Sequence, residues 1–214
     1  MGAFSPNRFG DRRKRRVGVL GGSFNPAHEG HLHISLEALK RLKLDEVWWL
    51  VSPQNPLKSA DDMASQADRI AEARKVARHP RLKVTGMEAD WGTRYTADTL
   101  AMMRRRFPAA KLVWIMGADN LTQIPKWDRW TRIFRSVPVA VFDRSPYSRE
   151  SMASKAARRF WHWRAAAPAR LAGTAPPSWI FMHIKRHPAS ATEIRRRLDA
   201  LKSKTKSKTK ETGN

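Results

Sequence analysis

The sequence predicts one doubly wound α/β domain built on a mostly parallel sheet. Two observations carry this. Six short apolar runs alternate with helix-period segments, and a glycine-rich turn links the first run to the first helix. The 214 residues suit one such domain with tails, and an apolar share of 41% is enough for a core on both faces of a sheet.

The strand runs are 17–20, 46–51, 82–86, 112–116, 137–142 and 179–184. Several are continuous apolar stretches, as strands covered on both faces should be. After the first run, Gly21-Gly22 open a turn, and Leu32, Leu36 and Leu39 then recur at helical spacing. Residues 64–78 read as a second helix ended by Pro80, and 96–107 as a third ended by Pro108. Residues 127–135 and 148–164 read as further helices. Residues 165–177, rich in Ala, Pro and Gly, read as a flexible connection. Ser190 with Glu193 three later forms a capping box that starts the last helix, 190–201. Residues 1–16 read as a disordered basic extension and 202–214 as a disordered Lys/Ser/Thr tail, which leaves 17–201 as the domain.

The formal charge is +23, of which the two tails carry +9. Such a field concentrates anionic substrates, and it binds RNA or DNA only weakly and without sequence preference. No nucleic-acid recognition motif occurs, so no specific nucleic-acid partner is expected. The chain has no cysteine, which excludes disulfides and thiolate metal sites. No apolar run approaches the roughly 20 residues of a membrane span, and the start does not read as a secretory signal. A cytoplasmic protein without a membrane partner is expected.

The sharpest motif is Gly21-Gly22-Ser23-Phe24-Asn25-Pro26-Ala27-His28-Glu29-Gly30-His31. Strand, glycine turn and helix in that order build a phosphate site, because glycines admit close approach and a first helical turn offers N–H donors and a positive dipole end. His28 and His31, three apart, share a face there, whereas His33 points elsewhere and reads as a surface or core-edge residue. The pattern is neither G-x-G-x-x-G nor a P-loop. Near the end, Ser190, Thr192 and Arg195 place two hydroxyls and a guanidinium at a helix start. That marks a helix boundary and also suits an anion. Gly117-Ala118-Asp119 follows the fourth strand run, where ligands of open α/β sheets sit; Asp119 also suits the N-cap of the next helix.

These motifs resemble the nucleotidylyltransferases that carry an H-x-G-H sequence. Thr93-Arg94-Tyr95-Thr96-Ala97-Asp98-Thr99-Leu100 and Pro125-Lys126-Trp127 are similar to segments of the bacterial nicotinate-mononucleotide adenylyltransferases among them. The resemblance implies a Rossmann-like domain and ATP-dependent adenylyl transfer to nicotinate mononucleotide in NAD biosynthesis. Mg²⁺ would be carried mainly by ATP and water, since no carboxylate cluster argues for a protein-built metal site. It implies catalysis by His28, His31 and Arg195, and ATP binding by Gly21, Gly22, Ser23, Phe24, Gly117, Asp119, Ser190 and Thr192 as well. It implies nicotinate-mononucleotide binding by Asn55, Lys58, Tyr95, Thr96, Trp127 and Arg144. Without its flanking match, Trp127 would read as an ordinary aromatic among nine tryptophans. Nicotinamide mononucleotide or another phosphate monoester is the alternative acceptor, and a basic nucleic-acid-binding protein is the alternative from another class.

Overall fold

The computed structural model describes residues 5–53, 63–143 and 148–185. Its six strands are β1 (Arg15–Gly22), β2 (Glu46–Val51), β3 (Leu82–Thr85), β4 (Ala110–Gly117), β5 (Val139–Asp143) and β6 (Trp179–His183). They form one sheet in the order β3-β2-β1-β4-β5-β6, parallel at every pairing. The chain winds outward from β1 first one way and then the other, so the crevice between the carboxyl ends of β1 and β4 is the switch point where such sheets take ligands.

Strand alternation divides the core into two layers. On one side of the sheet, Val17, Val19, Trp48, Leu50, Leu112, Trp114, Met116, Val139, Val141, Trp179 and Phe181 are buried together. On the other, Leu20, Val47, Trp49, Val51, Val113, Ile115, Ala140, Phe142, Ile180 and Met182 are. Helices α1 (Glu29–Arg41) and α2 (Gln66–Val76) cover the second layer through Ile34, Ala38, Leu39 and Ala73. The short α3 (Met87–Asp90), then α4 (Thr96–Arg106), α5 (Ala118–Gln123) and α6 (Trp130–Ser136), cover the first.

Several sequence expectations change. Leu36 does not belong to the buried stripe of α1 and is exposed; the inward face is Gly30, Ile34, Ser35, Ala38 and Leu39. Leu39 is buried and Leu32 packs against the same layer, so only Leu36 falls off the sheet-facing line, where Ser35 takes the inward position. The helix expected at 127–135 begins at Trp130: the preceding 3-10 turn ends at Lys126 with Trp127 extended, and Arg129 enters α6 as its N-cap in a left-handed conformation (φ 47°). The helix expected at 148–164 breaks into α7 (Ser148–Met152), α8 (Lys155–Arg159) and a 3-10 turn at Trp161–Trp163, with Ser154 capping α8. Phe160 is buried in that break, while Trp161 and Trp163 are exposed.

The stretch 165–177 is not a loose connection. It holds a 3-10 helix, Pro168–Gly173, whose Leu171 and Ala172 are buried in the second core layer. Residues 5–14 lie against the domain rather than apart from it. Trp91 Nε1 donates to Arg8 O (2.9 Å), Asp11 N to Arg106 O (3.1 Å) and Ser5 Oγ to Val84 O (3.3 Å). Long-range partners, invisible to composition, decide both cases. The expected helix 190–201 and the tail 202–214 lie outside the described residues.

Candidate active site

The glycine turn leaves β1 at the switch point, and its glycines serve unequal ends. A Cβ at Gly21 would collide with the Trp114 ring of β4, so this glycine admits an indole; a Cβ at Gly22 would meet only the Phe24 ring, at an ordinary 3.5 Å. Phe24 then adopts φ 48°, a conformation costly for a bulky residue. Burial offsets that strain: Phe24 stacks on Trp49 (5.2 Å between centroids) and tilts against His31 (4.7 Å). Trp49 Nε1 in turn donates to Ser35 Oγ (2.8 Å), and Ser35 Oγ donates to His31 O (2.8 Å). The indole, the hydroxyl and the phenyl ring thus fix where the first turn of α1 begins.

His28 and His31 cap each other across that turn. His28 stands at the N-cap with extended backbone (φ −153°, ψ 167°), and its Nδ1 accepts the Gly30 N–H (3.1 Å). His31 Nδ1 accepts the His28 N–H (3.2 Å), and the two rings lie 3.9 Å apart. A backbone N–H can bond Nδ1 only if that nitrogen is unprotonated, so the network assigns the proton of each ring to Nε2. Each imidazole is therefore oriented with Nε2–H as its donor edge. The expectation of open backbone donors here is corrected in part: Gly30 N–H goes to His28 Nδ1 and His31 N–H to His28 O (2.9 Å).

Across the crevice, β4 ends at Gly117, which takes the N-cap of α5, so Asp119 sits in the helix's first turn rather than at its cap. Asp119 is partly buried at that position. His33, away from the pair, lies with Nε2 2.7 Å from Lys185 O, a contact that ties α1 to the end of β6.

Of the residues expected to bind the mononucleotide, Tyr95 and Thr96 stand at the start of α4 and Trp127 beside the first core layer. Tyr95 is the N-cap of α4, Thr96 its first residue, and Trp127 follows the 3-10 turn Ile124–Lys126 and packs on the core. Arg129 joins the two segments. Its guanidinium makes a two-pronged bond to Asp98 (2.9 and 2.7 Å) and lies 5.8 Å over the Tyr95 ring. Under this corner Glu88 is partly buried, its Oε1 2.7 Å from Thr99 Oγ1, which lies 3.1 Å from Thr93 Oγ1. Burial pushes the Glu88 carboxyl up to about 7, against the smaller lowering effect of the Thr99 hydroxyl.

A family model described as cytidylyltransferase-like matches residues 19–197. A Cereibacter sphaeroides protein named probable nicotinate-nucleotide adenylyltransferase is 52% identical over 181 residues, covering 84% of this chain and 95% of the relative. The chain belongs to the nicotinate-nucleotide adenylyltransferase family. Bradyrhizobium and Parvibaculum lavamentivorans relatives of the same name are 48% and 50% identical, over 84% and 85% of this chain and 95% and 92% of theirs. The fold is that of the Plasmodium falciparum nicotinic acid mononucleotide adenylyltransferase solved in complex with NaAD, with a TM-score of 0.65 at 14% identity over 85% of this chain and 83% of that one.

Of the residues that the family resemblance nominates, His28, His31, Gly21, Gly22, Ser23 and Phe24 are gathered at the end of β1 and start of α1, Gly117 and Asp119 at the end of β4, and Tyr95, Thr96 and Trp127 beside α4. Asn55, Lys58, Arg144, Ser190, Thr192 and Arg195 lie outside the described residues. Two functional-looking residues carried no sequence signal: Glu88, and Arg69, buried in the first turn of α2 beneath the loops after β1 and β2. Neither sits in a motif; only the tertiary fold reveals their partners. No helix among the described residues is long and apolar enough to cross a membrane.

Proposed function

We propose that this chain works in the cytoplasm as an adenylyltransferase that joins ATP and nicotinate mononucleotide into deamido-NAD, releasing pyrophosphate, as a step of NAD biosynthesis. The observation that carries the reading is the 52% identity to a relative of that name across 95% of its length. The reciprocally capped histidine pair at the switch point supports the chemistry.

The mononucleotide phosphate oxygen attacks the α-phosphorus of ATP. A new P–O bond forms, the bond to the bridging oxygen breaks, and pyrophosphate leaves with its electron pair. The protein's part is orientation and charge stabilisation. His28 and His31 donate Nε2–H to the phosphates as charge shifts onto the leaving group. Gly21, Gly22, Ser23, Phe24, Gly117 and Asp119 line the ATP side, and Ser190, Thr192 and Arg195 close on the β- and γ-oxygens. Tyr95, Thr96 and Trp127 hold the pyridine ring and its carboxylate, with Asn55, Lys58 and Arg144 on the mononucleotide. The electron-poor ring suits an indole platform, and a carboxylate suits oriented N–H donors.

Among the described residues no three His, Asp or Glu gather as a metal cage. Imidazole donors with a lone carboxylate at Asp119 fit a Mg²⁺ that arrives on the triphosphate, kept by phosphate oxygens and water. When bound, the ion neutralises triphosphate charge and draws electrons from the phosphorus under attack.

The test is pyrophosphate release with ATP and Mg²⁺, offering nicotinate and nicotinamide mononucleotides side by side. Preference for the nicotinate form is the expected result. Turnover with neither overturns the pyridine assignment and directs the search to other phosphate monoesters.

A further inference from the structure

We infer that Arg69 is a positioning residue that holds the glycine turn after β1 and the first residues after β2 in one register, so that the two substrates meet in line. This rests on the transfer reaction proposed above. Arg69 is buried, with 2% of its surface exposed. Its Nε donates to Ala64 O (2.9 Å), Nη1 to Ser23 O (2.6 Å) and Ser52 O (2.8 Å), and Nη2 to Pro53 O (2.8 Å). One guanidinium thus binds three separate stretches of chain: the glycine turn after β1, the first residues after β2, and the residues leading into α2. Gln66 adds a second pin from the same helix, donating to Val51 O at 2.8 Å.

None of the four acceptors is a carboxylate. A buried cation held only by carbonyls is a poor device for stability, since an apolar side chain could fill the space without the desolvation cost. What the guanidinium adds is geometry: a rigid planar fork whose donors satisfy four carbonyls at fixed angles, which a lysine ammonium at a single point cannot do. Ser23 lies five residues before His28. The stretch it begins carries the histidine pair, while Ser52 and Pro53 lead into the segment assigned to the mononucleotide. An in-line displacement loses about 10²-fold in rate for a misplacement of about 1 Å, so the register between these two loops is worth fixing.

The experiment compares Arg69→Lys with the unmodified enzyme. Measurements are Tm, equilibrium binding of each substrate separately, and kcat per folded molecule. The expected result is a folded variant that binds ATP and the mononucleotide within about fivefold of normal, with kcat lower by about 10²-fold. In Arg69→Gly, added methylguanidine should restore part of that kcat. A kcat within twofold of normal in folded Arg69→Lys overturns the proposal, as does a loss wholly explained by weaker binding of one substrate. Should Arg69→Lys not fold, Arg69→Gln takes its place; failure of both to fold also overturns it, since stability would then be the residue's whole role. If the unmodified enzyme prefers a different phosphate acceptor, the reading of substrate falls while the same variant-to-parent ratios, taken with that acceptor, still decide the role of Arg69.

Discussion

His28 is asked to do two things, and substitution can separate them. Its Nδ1 caps α1 by accepting the Gly30 N–H at 3.1 Å, while its Nε2 edge is assigned to phosphate. Asparagine is among the best N-cap residues and has no imidazole; alanine can do neither job. Both variants remove the ring from a residue that is only 5% exposed; Asn keeps more of the buried volume than Ala, so the difference between them contains the cap together with that packing. Losing an N-cap costs about 1 kcal/mol. For a domain of this size that corresponds to a drop in Tm of about 2–4 °C. His28→Ala should therefore melt about 2–4 °C below His28→Asn, by scanning calorimetry at one pH. Turnover should fall in both by at least about 10²-fold, the usual loss for one charge-stabilising donor. Two results would refute the reasoning: equal Tm for the two variants, which denies the cap, or near-normal turnover in His28→Asn, which denies the phosphate role.

Three further outcomes are expected. Gly21→Ala forces a methyl into the Trp114 ring and should lose about 1–3 kcal/mol, whereas Gly22→Ala should melt near the parent; equal Tm for both would remove the packing role of Gly21. Glu88 has its carboxyl raised from an ordinary 4.5 to about 7, so the unfolded chain releases this proton first and stability falls as pH rises from about 4.5 through 7. Glu88→Gln should abolish that part of the slope and gain no more than about 3 kcal/mol at pH 8, read from urea unfolding at pH 5 and 8; parallel pH profiles for the two proteins would contradict it. Trp127→Ala should raise KM for the pyridine nucleotide far more than KM for ATP in steady-state kinetics, and equal increases would make Trp127 structural only.

Much of this was legible along the chain. Each of the six strand runs falls on a strand, because strands buried on both faces are written as continuous apolar residues. The glycine turn and the histidines declared themselves by spacing. The misreadings share one cause. Leu36, the 148–164 segment and 165–177 were assigned by local pattern. Their outcomes hang on contacts with distant residues: the sheet under α1, the pocket that takes Phe160, and the second core layer that takes Leu171.

The sequence by itself determined the layered α/β class and the position of the glycine turn with its histidine pair, because periodicity, glycine and capping chemistry act within a few residues. Only the tertiary structure decided why Gly21 must lack a side chain, how Trp49 steadies the start of α1, where Glu88 is buried and what Arg69 holds. Those outcomes depend on pairs as far as 93 positions apart, such as Ser35 with Trp49, Arg69 with Ser23 and Gly21 with Trp114, and on groups that meet only when β1, β2 and β4 lie side by side. Local propensity cannot specify such meetings; burial enforces them, since a polar group shut from water must find its partner wherever the fold has brought one.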